Sequence, residues 1–349
     1  MIVRSDVPLA AYTTLGLGGP ARSFIEARTT EVLIAAVTAA DDAGTPVLLM
    51  GGGSNLVIAD EGFAGTVIRV VTRGRQVIEK GDDARVLLCA GEPWDAFVAW
   101  SVAQGYAGVE CLSGIPGCVG ATPMQNVGAY GQEVAERITA VQVWDRRDRA
   151  HRTLRPAECG FGYRDSVFKR EARGRYVVLS VAFALRRGAT PEVRYGELSK
   201  ALEGSEVTVA RVRETVLALR RAKGMVWDPA DPEGRTAGSF FMNPVVAEEV
   251  ADAVVERARA SGVLREGATM PRWATSDGRV KLAAGWLIER AGVEKGWTVE
   301  GAGVSHRHAL ALVNRGGTTR ALLAMAERVR ERVRDTFGVT LEIEPERVG

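Results

Sequence analysis

The first stretch whose residues could do chemistry is a run of three glycines followed by two polar residues. It consists of Gly51, Gly52, Gly53, Ser54 and Asn55. Consecutive glycines let the backbone adopt positive φ and approach a ligand, and successive amide groups in such a turn form a concave anion site. One interpretation is a loop that holds a pyrophosphate. The alternative is a tight, solvated turn between strands, and the loop alone favours neither.

A second glycine-rich segment, residues 114–131, strengthens the ligand interpretation. Its glycines, together with Pro116 and Pro123, prevent a regular helix or strand. A long irregular segment in a compact domain is usually functional or disordered. Apolar residues such as Ile115 and Val119 argue against disorder, so we expect this segment to wrap around a ligand.

Two further residues could carry chemistry, although each looks ordinary by itself. Arg164 stands beside Asp165, and such a neighbour usually indicates a surface ion pair. Ser239 follows Gly238, and a serine in that position usually belongs to a turn or a cap. A catalytic role for either residue therefore needs support from outside its own motif.

The elements that must position these residues are a mixture of strands and helices. Hydrophobic periodicity and capping residues predict each of them. The predicted strands are 23–26, 47–50, 66–71, 76–79, 85–89, 138–144, 176–185 and 339–344, and the predicted helices are 30–44, 94–104, 209–223, 247–261, 280–292 and 318–337. The β segments are too many for a doubly wound sheet, which favours an α+β fold. After a boundary near residue 188, helices are expected to dominate.

Composition bounds the class of protein. A chain of 349 residues with 46% hydrophobic residues predicts two or three domains. The net charge of +2 gives no sign of a nucleic-acid surface. No apolar run approaches the roughly 20 residues of a membrane span, and the N-terminus lacks the apolar region of a signal peptide. We therefore predict a cytoplasmic protein.

Cysteine and histidine usage predicts no metal site. None of the four cysteines forms a C-x-x-C pair, and reduced, buried thiols are expected in the cytoplasm. Of the three histidines, His306 and His308 are two residues apart, which suits neither a helical metal face nor a zinc finger.

Several motifs of the chain resemble, in the same order, the UDP-N-acetylenolpyruvoylglucosamine reductase family, flavoenzymes of bacterial peptidoglycan precursor synthesis. The resemblance covers essentially the whole length. The motifs that carry it are Gly51 to Asn55, Ile115 to Gly120, Gln125 to Gly131, Gly162 to Phe168, Ala237 to Phe241 with Asn243-Pro244, Lys281 to Ile288, and Leu341 to Glu344.

The resemblance implies an α+β fold with a PCMH-type FAD-binding region of two subdomains and a C-terminal α+β substrate-binding domain. The expected bounds are 1–72, 73–188 and 189–349, with the last strand returning to the active site. The triple-glycine loop would hold the FAD pyrophosphate, and the second segment would run beside the flavin. The implied FAD contacts are Gly51, Gly52, Gly53, Ser54, Asn55, Gly114, Ile115, Pro116, Gly117, Gly120, Ala121, Gln125, Asn126, Gly128, Ala129 and Tyr130.

The resemblance also implies a reaction, the reduction of UDP-N-acetylglucosamine enolpyruvate to UDP-N-acetylmuramate with NADPH as co-substrate. The implied catalytic residues are Arg164, Ser239 and Glu344. Glu342 and Glu346 alternate with Glu344, which is chosen because of its place in the family motif. The implied substrate contacts are Tyr163, Tyr195, Lys223 and Asn243. No protein partner is evident.

Two other functions are weighed against this one. An FAD oxidase of the same flavin fold, acting on an alcohol or sugar, would often tether the flavin through a histidine. No histidine lies near either glycine-rich segment, so FAD is expected without a covalent link. A non-catalytic flavin-binding module is the second alternative, and it would not need the set of Arg164, Ser239 and Glu344.

Overall fold

A computed structural model gives the structure of the chain and describes residues 1–275 and 277–349. The described helices are α1 (Thr30–Asp42), α2 (Trp94–Ala103), α3 (Pro156–Cys159), α4 (Gly196–Ala201), α5 (Val209–Ala222), α6 (Glu248–Ala260), α7 (Ala284–Arg290) and α8 (Thr319–Phe337). The described strands are β1 (Val3–Pro8), β2 (Pro20–Ala27), β3 (Val47–Met50), β4 (Leu56–Ile58), β5 (Phe63–Val70), β6 (Arg75–Lys80), β7 (Asp83–Cys89), β8 (Tyr106–Ala107), β9 (Gly128–Ala129), β10 (Gln132–Glu133), β11 (Ile138–Asp145), β12 (Ala150–Leu154), β13 (Tyr176–Arg187), β14 (Thr236–Ser239), β15 (Val245–Val246), β16 (Arg272–Ala274), β17 (Val280–Leu282), β18 (Thr298–Val299), β19 (Ala302–Val304), β20 (Ala311–Asn314) and β21 (Glu346–Val348).

The first of two compact units comprises Met1–Pro8, Pro20–Gly53 and Phe63–Trp227. One of its sheets has the order β1-β2-β5-β3, in which β1 is antiparallel and the other pairs are parallel. The other sheet is antiparallel, in the order β12-β11-β13-β7-β6, and β8 also pairs with β13. Residues 177–183 of β13 are all buried, and β11 and β7 pair with its two edges. A single apolar core joins side chains of both sheets to α1 and α2.

The second unit comprises Leu9–Gly19, Ser54–Gly62 and Asp228–Gly349. It contains a sheet of order β14-β20-β19-β18, a sheet of order β15-β17-β16 and a parallel pair of β21 with β4. Its longest helix, α8, buries one apolar face against the unit's core. Thr318 caps the start of α8 by accepting from the Ala321 N–H, and Gly338 ends it at φ 74°.

The mixed sheets and helices confirm the predicted α+β class. The helices predicted at 30–44, 94–104, 209–223, 247–261 and 318–337 are present, with small shifts at their ends. Where each domain begins and ends stays a prediction.

Two expectations about the second half of the chain are wrong. Residues 280–282 are strand β17 and not the first turn of a helix, because they pair with β15 and β16. The closing strand is β21 and not 339–344, where Ile343 makes only an isolated bridge to Phe241. The prediction that helices dominate after residue 188 is confirmed, because α4 to α8 cover more of this part of the chain than the short strands β14 to β21.

Candidate active site

The two glycine-rich segments touch each other through their backbones inside the first unit. A Cβ atom on Gly51 would lie 2.3 Å from Cys118 Sγ, and one on Gly52 would lie 2.7 Å from Gly117 Cα. A Cβ atom on Gly120 would lie 2.5 Å from Ala90 Cβ. Side chains larger than hydrogen cannot be accommodated at these positions without a shift of the neighbours. We call the surface formed by residues 51–53 and 114–121 the glycine cradle.

The second segment of the glycine cradle is irregular but held in place by backbone hydrogen bonds. The Trp94 N–H donates to the Gly117 carbonyl at 3.1 Å, and the Gly120 N–H donates to the Ala90 carbonyl at 2.8 Å. Within this segment the chain forms two short 3₁₀ turns, at Val119–Ala121 and Pro123–Gln125. Burial raises the pKa of the Cys118 thiol, so this residue stays a neutral, packed side chain.

Arg164 lies at the tip of a tight turn in the first unit. The backbone groups of Gly162 and Asp165 bond to each other across the turn at 3.0 and 3.3 Å. Arg164 has φ 54°, a conformation that is uncommon for a residue with a side chain. Its Nη2 donates to the Gly128 carbonyl at 2.7 Å, and its guanidinium carbon lies 5.5 Å from the Tyr163 ring centre. Strained backbone of this kind clusters at functional sites.

Asn126 ties the turn that carries Arg164 to the rest of the first unit. Its Nδ2 donates to the Gly162 carbonyl at 3.0 Å and to Glu133 Oε2 at 2.7 Å. Its Oδ1 accepts from the Ala135 N–H at 3.1 Å. The sequence singled out Asn126 as an FAD contact, which stays a prediction. No local pattern indicates that its buried amide bonds two separate segments, residues 133–135 and Gly162.

A second cluster in the first unit brings together three residues that the sequence singled out. The Tyr130 and Tyr195 rings meet edge to face with centres 5.5 Å apart, and Lys223 Nζ lies 5.6 Å from the centre of the Tyr130 ring. Lys223 also forms an ion pair with Glu197 at 2.5 Å. Burial raises the pKa of Tyr130 to about 12, so its hydroxyl stays protonated. The sequence did not predict a role for Glu197.

Ser239 and the closing segment meet in the second unit. Ser239 ends β14 and is followed by the buried pair Phe240 and Phe241. The Glu344 N–H donates to the Phe240 carbonyl at 3.0 Å, and Phe241 forms a bridge with Ile343. Glu344 is therefore bonded to the residue that directly follows Ser239.

The other two candidate carboxylates occupy different positions along the closing segment. Glu342 is exposed, and its carbonyl accepts from the Met242 N–H at 2.9 Å, farther from Ser239 along the chain. Glu346 lies in β21, which pairs with β4. The choice of Glu344 as the catalytic carboxyl group stays a prediction. Asn243, the remaining residue singled out in this unit, accepts through Oδ1 from the Ala284 N–H at the start of α7.

A buried glutamate holds the segment that leads to Ser239. Glu233 accepts from Ser305 Oγ at 2.7 Å, from the His306 N–H at 2.8 Å and from Arg315 Nη2 at 2.6 Å. Burial acts to raise the pKa of Glu233, but these hydrogen bonds outweigh it and lower the pKa to about 2. No local pattern in the sequence indicates this network, because Glu233 lies more than 70 residues before Ser305, His306 and Arg315.

Replacing Glu233 by Gln is expected to destabilise the protein by about 2 kcal/mol or more at pH 7, because hydrogen bonds to a charged acceptor are lost. The folded pKa lies below the ordinary value of 4.5, so the stabilisation is full above that value and disappears as the pH falls toward about 2. Denaturant unfolding should show that the difference in unfolding free energy between Glu233→Gln and wild type is smaller at pH 3.5 than at pH 7. Glu331→Gln, an exposed position in α8, is the control. A free-energy difference between Glu233→Gln and wild type that is the same at both pH values would contradict this account.

Comparison with known proteins identifies the family. Residues 228–348 match the C-terminal domain of UDP-N-acetylenolpyruvoylglucosamine reductase, and residues 21–153 match an FAD-binding domain. The chain is 51% identical over 350 residues to the UDP-N-acetylenolpyruvoylglucosamine reductase of Thermobifida fusca, covering 99% of this chain and 97% of the relative. The chain belongs to the UDP-N-acetylenolpyruvoylglucosamine reductase family.

Further members of the reductase family agree along the whole length. The enzyme of that name from Streptomyces avermitilis is 50% identical, and the match covers 99% of this chain and 94% of that enzyme. The crystal structure of the reductase from Thermus caldophilus superposes with a TM-score of 0.68 at 27% identity, covering 100% of both chains. The family resemblance drawn from the motifs is thereby confirmed.

The glycine cradle fits the cofactor that the matched FAD-binding domain implies. It lies within residues 21–153, and it presents backbone where side chains would collide with the facing segment. Bare backbone suits a pyrophosphate, because amide N–H groups can approach its oxygens closely. Among the described residues, no group of three or more His, Cys, Asp or Glu is arranged to hold a metal ion. No described helix has both the length and the apolar composition needed to cross a membrane.

Replacing Gly52 by Ala is expected to weaken FAD binding by about tenfold or more. The new methyl group would lie 2.7 Å from backbone of Gly117, and overpacking of this kind costs roughly 1–3 kcal/mol. The dissociation constant can be measured by titrating FAD-depleted protein and following flavin fluorescence. Gly196→Ala is the control, because no atom lies within 4 Å of its added Cβ. Wild-type affinity in Gly52→Ala would show that FAD does not depend on the glycine cradle.

Proposed function

We propose that this chain reduces UDP-N-acetylglucosamine enolpyruvate to UDP-N-acetylmuramate, with NADPH as co-substrate, in the cytoplasmic synthesis of peptidoglycan precursor. The observation that carries the proposal is the backbone pairing of the Glu344 segment with the segment after Ser239, in the unit that matches the reductase C-terminal domain. This backbone pairing joins the segment that follows a serine hydroxyl to the segment that carries a carboxyl group, the two groups that the proposed reaction needs.

Bound FAD would supply the hydride carrier between NADPH and the enolpyruvyl group. The chain would hold it without a covalent link, through Gly51 to Asn55 and through the polar and backbone groups of residues 114–130. Within this proposal, residues 1–72 and 73–188 are the two FAD-binding subdomains. Residues 189–349 are the substrate-binding domain.

Arg164 is the group proposed to meet the negative charge that develops on the substrate carboxylate. A guanidinium is always cationic and can bind a carboxylate through two parallel hydrogen bonds. The bond to the Gly128 carbonyl supports this role, because it restricts the side chain to one orientation before substrate arrives.

Ser239 and Glu344 are proposed to complete the chemistry at the neighbouring carbon. Ser239 Oγ delivers the proton to C2 of the enolpyruvyl group as general acid. Glu344 acts in its protonated form, since an ionised carboxylate would repel the developing enolate. The bond between the Glu344 N–H and the Phe240 carbonyl supports the pair, because it links the backbone of the two segments.

Tyr163, Tyr195, Lys223 and Asn243 are proposed to contact the sugar nucleotide. Lys223 and Tyr195 both lie against Tyr130, so one side-chain cluster can offer a cation and a phenol to a diphosphate. The ion pair with Glu197 must then be exchanged for the phosphate oxygens.

An anaerobic spectral titration tests the function. The flavin absorbance of the purified protein should bleach on addition of NADPH and recover rapidly when the enolpyruvyl sugar nucleotide is added. Recovery only with air would favour an FAD oxidase. A spectrum that NADPH leaves unchanged would favour a flavin-binding module without catalysis.

A further inference from the structure

The backbone of Arg164 is held by a lysine five residues further along the chain. Lys169 Nζ donates to the Arg164 carbonyl at 3.1 Å. Lys169 is half-buried, so its side chain folds back toward the turn instead of extending into solvent. Its ammonium group thereby bonds the main chain of the residue that is proposed to meet the substrate carboxylate.

Arg164 occupies a turn position that is unfavourable for a residue with a side chain. In the turn closed by Gly162 and Asp165, Arg164 is the third residue and has φ 54°, whereas the φ of Tyr163 is not positive. A positive φ at the third residue is typical of a type II turn, which favours glycine or asparagine there. Such a conformation persists in other residues only where the surrounding structure holds it. The turn therefore depends on contacts that fix the main chain of Arg164.

Three contacts hold Arg164 from different sides. Its Nη2 donates to the Gly128 carbonyl at 2.7 Å, which fixes the end of the side chain. Asn126 Nδ2 donates to the Gly162 carbonyl at 3.0 Å, which fixes the start of the turn. Of the three, the bond from Lys169 is the one made to the main chain of Arg164 itself. A change of ψ at Arg164 would break this bond and redirect the guanidinium.

The main chain of Lys169 is also fixed, so its ammonium group has a defined starting point. The Lys169 N–H donates to the Ser166 carbonyl at 3.1 Å. Ser166 is buried, and its Oγ donates to the Met124 carbonyl and accepts from the Phe168 N–H at 3.2 Å. Phe168 is buried in the core of the first unit. Lys169 thus reaches the Arg164 carbonyl from a packed segment.

We propose that Lys169 is a positioning residue that keeps the Arg164 guanidinium directed at the substrate carboxylate. This inference rests on the proposed function and adds a residue to it. Lys169 acts through Arg164, and its role requires no contact with FAD or with the sugar nucleotide. A misplacement of about 1 Å in a positioned group can slow a reaction roughly 10²-fold. Loss of the ammonium group should therefore slow the half-reaction in which Arg164 takes part.

The test compares Lys169→Met with wild type, and Lys80→Met, at an exposed position in β6, is the control. Methionine retains most of the side-chain length but removes the donor. In stopped-flow experiments, reoxidation by saturating enolpyruvyl sugar nucleotide should slow by about tenfold or more, and bleaching by NADPH should be unchanged. Lys169→Arg, which can still donate to a carbonyl, should recover part of the rate. Lys80→Met should match wild type in both half-reactions.

A double-mutant comparison separates positioning from a purely structural role. Lys169→Met should slow an Arg164→Met enzyme by less than about twofold, because the group that Lys169 positions is already absent. The same slowing by Lys169→Met in both backgrounds would overturn the proposal. Equal slowing of the two half-reactions, or a Lys169→Met rate equal to wild type, would also overturn it. If Lys169→Met does not fold, Lys169→Gln takes its place, and failure of both variants to fold would show a structural role and overturn the proposal.

Failure of the proposed function gives a different result. If the sugar nucleotide does not reoxidise the wild-type enzyme, the proposed function fails and this inference falls with it. If Arg164→Met reoxidises at the wild-type rate, the role of Arg164 fails, and Lys169 has no catalytic group to position. If wild type reacts, Arg164→Met is slow and Lys169→Met is as fast as wild type, the proposed function stands and the inference about Lys169 alone is wrong.

Discussion

Replacing Ser239 by Ala is expected to slow reoxidation of the reduced enzyme by the enolpyruvyl sugar nucleotide by roughly 10²–10⁴-fold, the usual contribution of a positioned general acid. Reduction by NADPH should stay near the wild-type rate, because that half-reaction needs no proton at C2. The change keeps the backbone of β14, including the pairing of Ser239 with Ala311. Stopped-flow absorbance at the flavin band follows the two half-reactions separately.

The strand that carries Ser239 is anchored by its neighbours and not by the hydroxyl. Phe240 and Phe241 are buried in the second unit with ring centres 5.5 Å apart. Loss of the hydroxyl should therefore leave stability almost unchanged. Ser239→Cys should recover part of the activity, since a thiol can also donate a proton. Ser261→Ala, at the exposed end of α6, is the control. A Ser239→Ala enzyme within about threefold of wild type would show that another group supplies the proton.

Replacing Arg164 by Lys is expected to slow the same half-reaction by roughly 10²–10³-fold, the cost of removing a donor aimed at developing negative charge. Lysine keeps the charge but loses the planar fork, and it cannot bond the Gly128 carbonyl and a carboxylate with the same geometry. The turn conformation is retained, because lysine has the same backbone demands as arginine at φ 54°. Bleaching by NADPH should be unaffected.

The control for Arg164 is a neighbouring arginine outside the proposed chemistry. Arg170 is exposed and pairs with Asp165 at 2.7 Å, so Arg170→Lys should leave both half-reactions unchanged. Equal slowing of both half-reactions in Arg164→Lys would point to a structural or flavin-binding role. Full activity in Arg164→Lys would remove Arg164 from the mechanism.

Some features of this protein are determined by short stretches of sequence. Helix α8 is an example, because Thr318, the apolar spacing and Gly338 specify its start, buried face and end within one local segment. The α+β class and the family follow in the same way, since strand patterns and glycine motifs are readable without knowing what they contact. The glycines at 51 and 52 indicate close approach, although not which segment approaches.

Other features were decided only by contacts between distant residues. Val280–Leu282 has a helical pattern, but it is a strand because β15 and β16 supply its hydrogen-bond partners. The three alternating glutamates share one sequence pattern, and the fold gives their backbones different partners: the Glu344 N–H bonds the Phe240 carbonyl, whereas Glu346 lies in β21 beside β4.

Two buried charged residues show most clearly what short stretches of sequence do not determine. Glu233 and Arg220 both look like surface residues in sequence, yet both are buried. Glu233 finds its donors more than 70 residues away, on Ser305 and Arg315. Arg220 is buried near Asp95, whose carboxylate is hydrogen-bonded to Arg213. Burial and pairing depend on which distant segments the fold brings side by side, and local residue patterns do not indicate which segments these are.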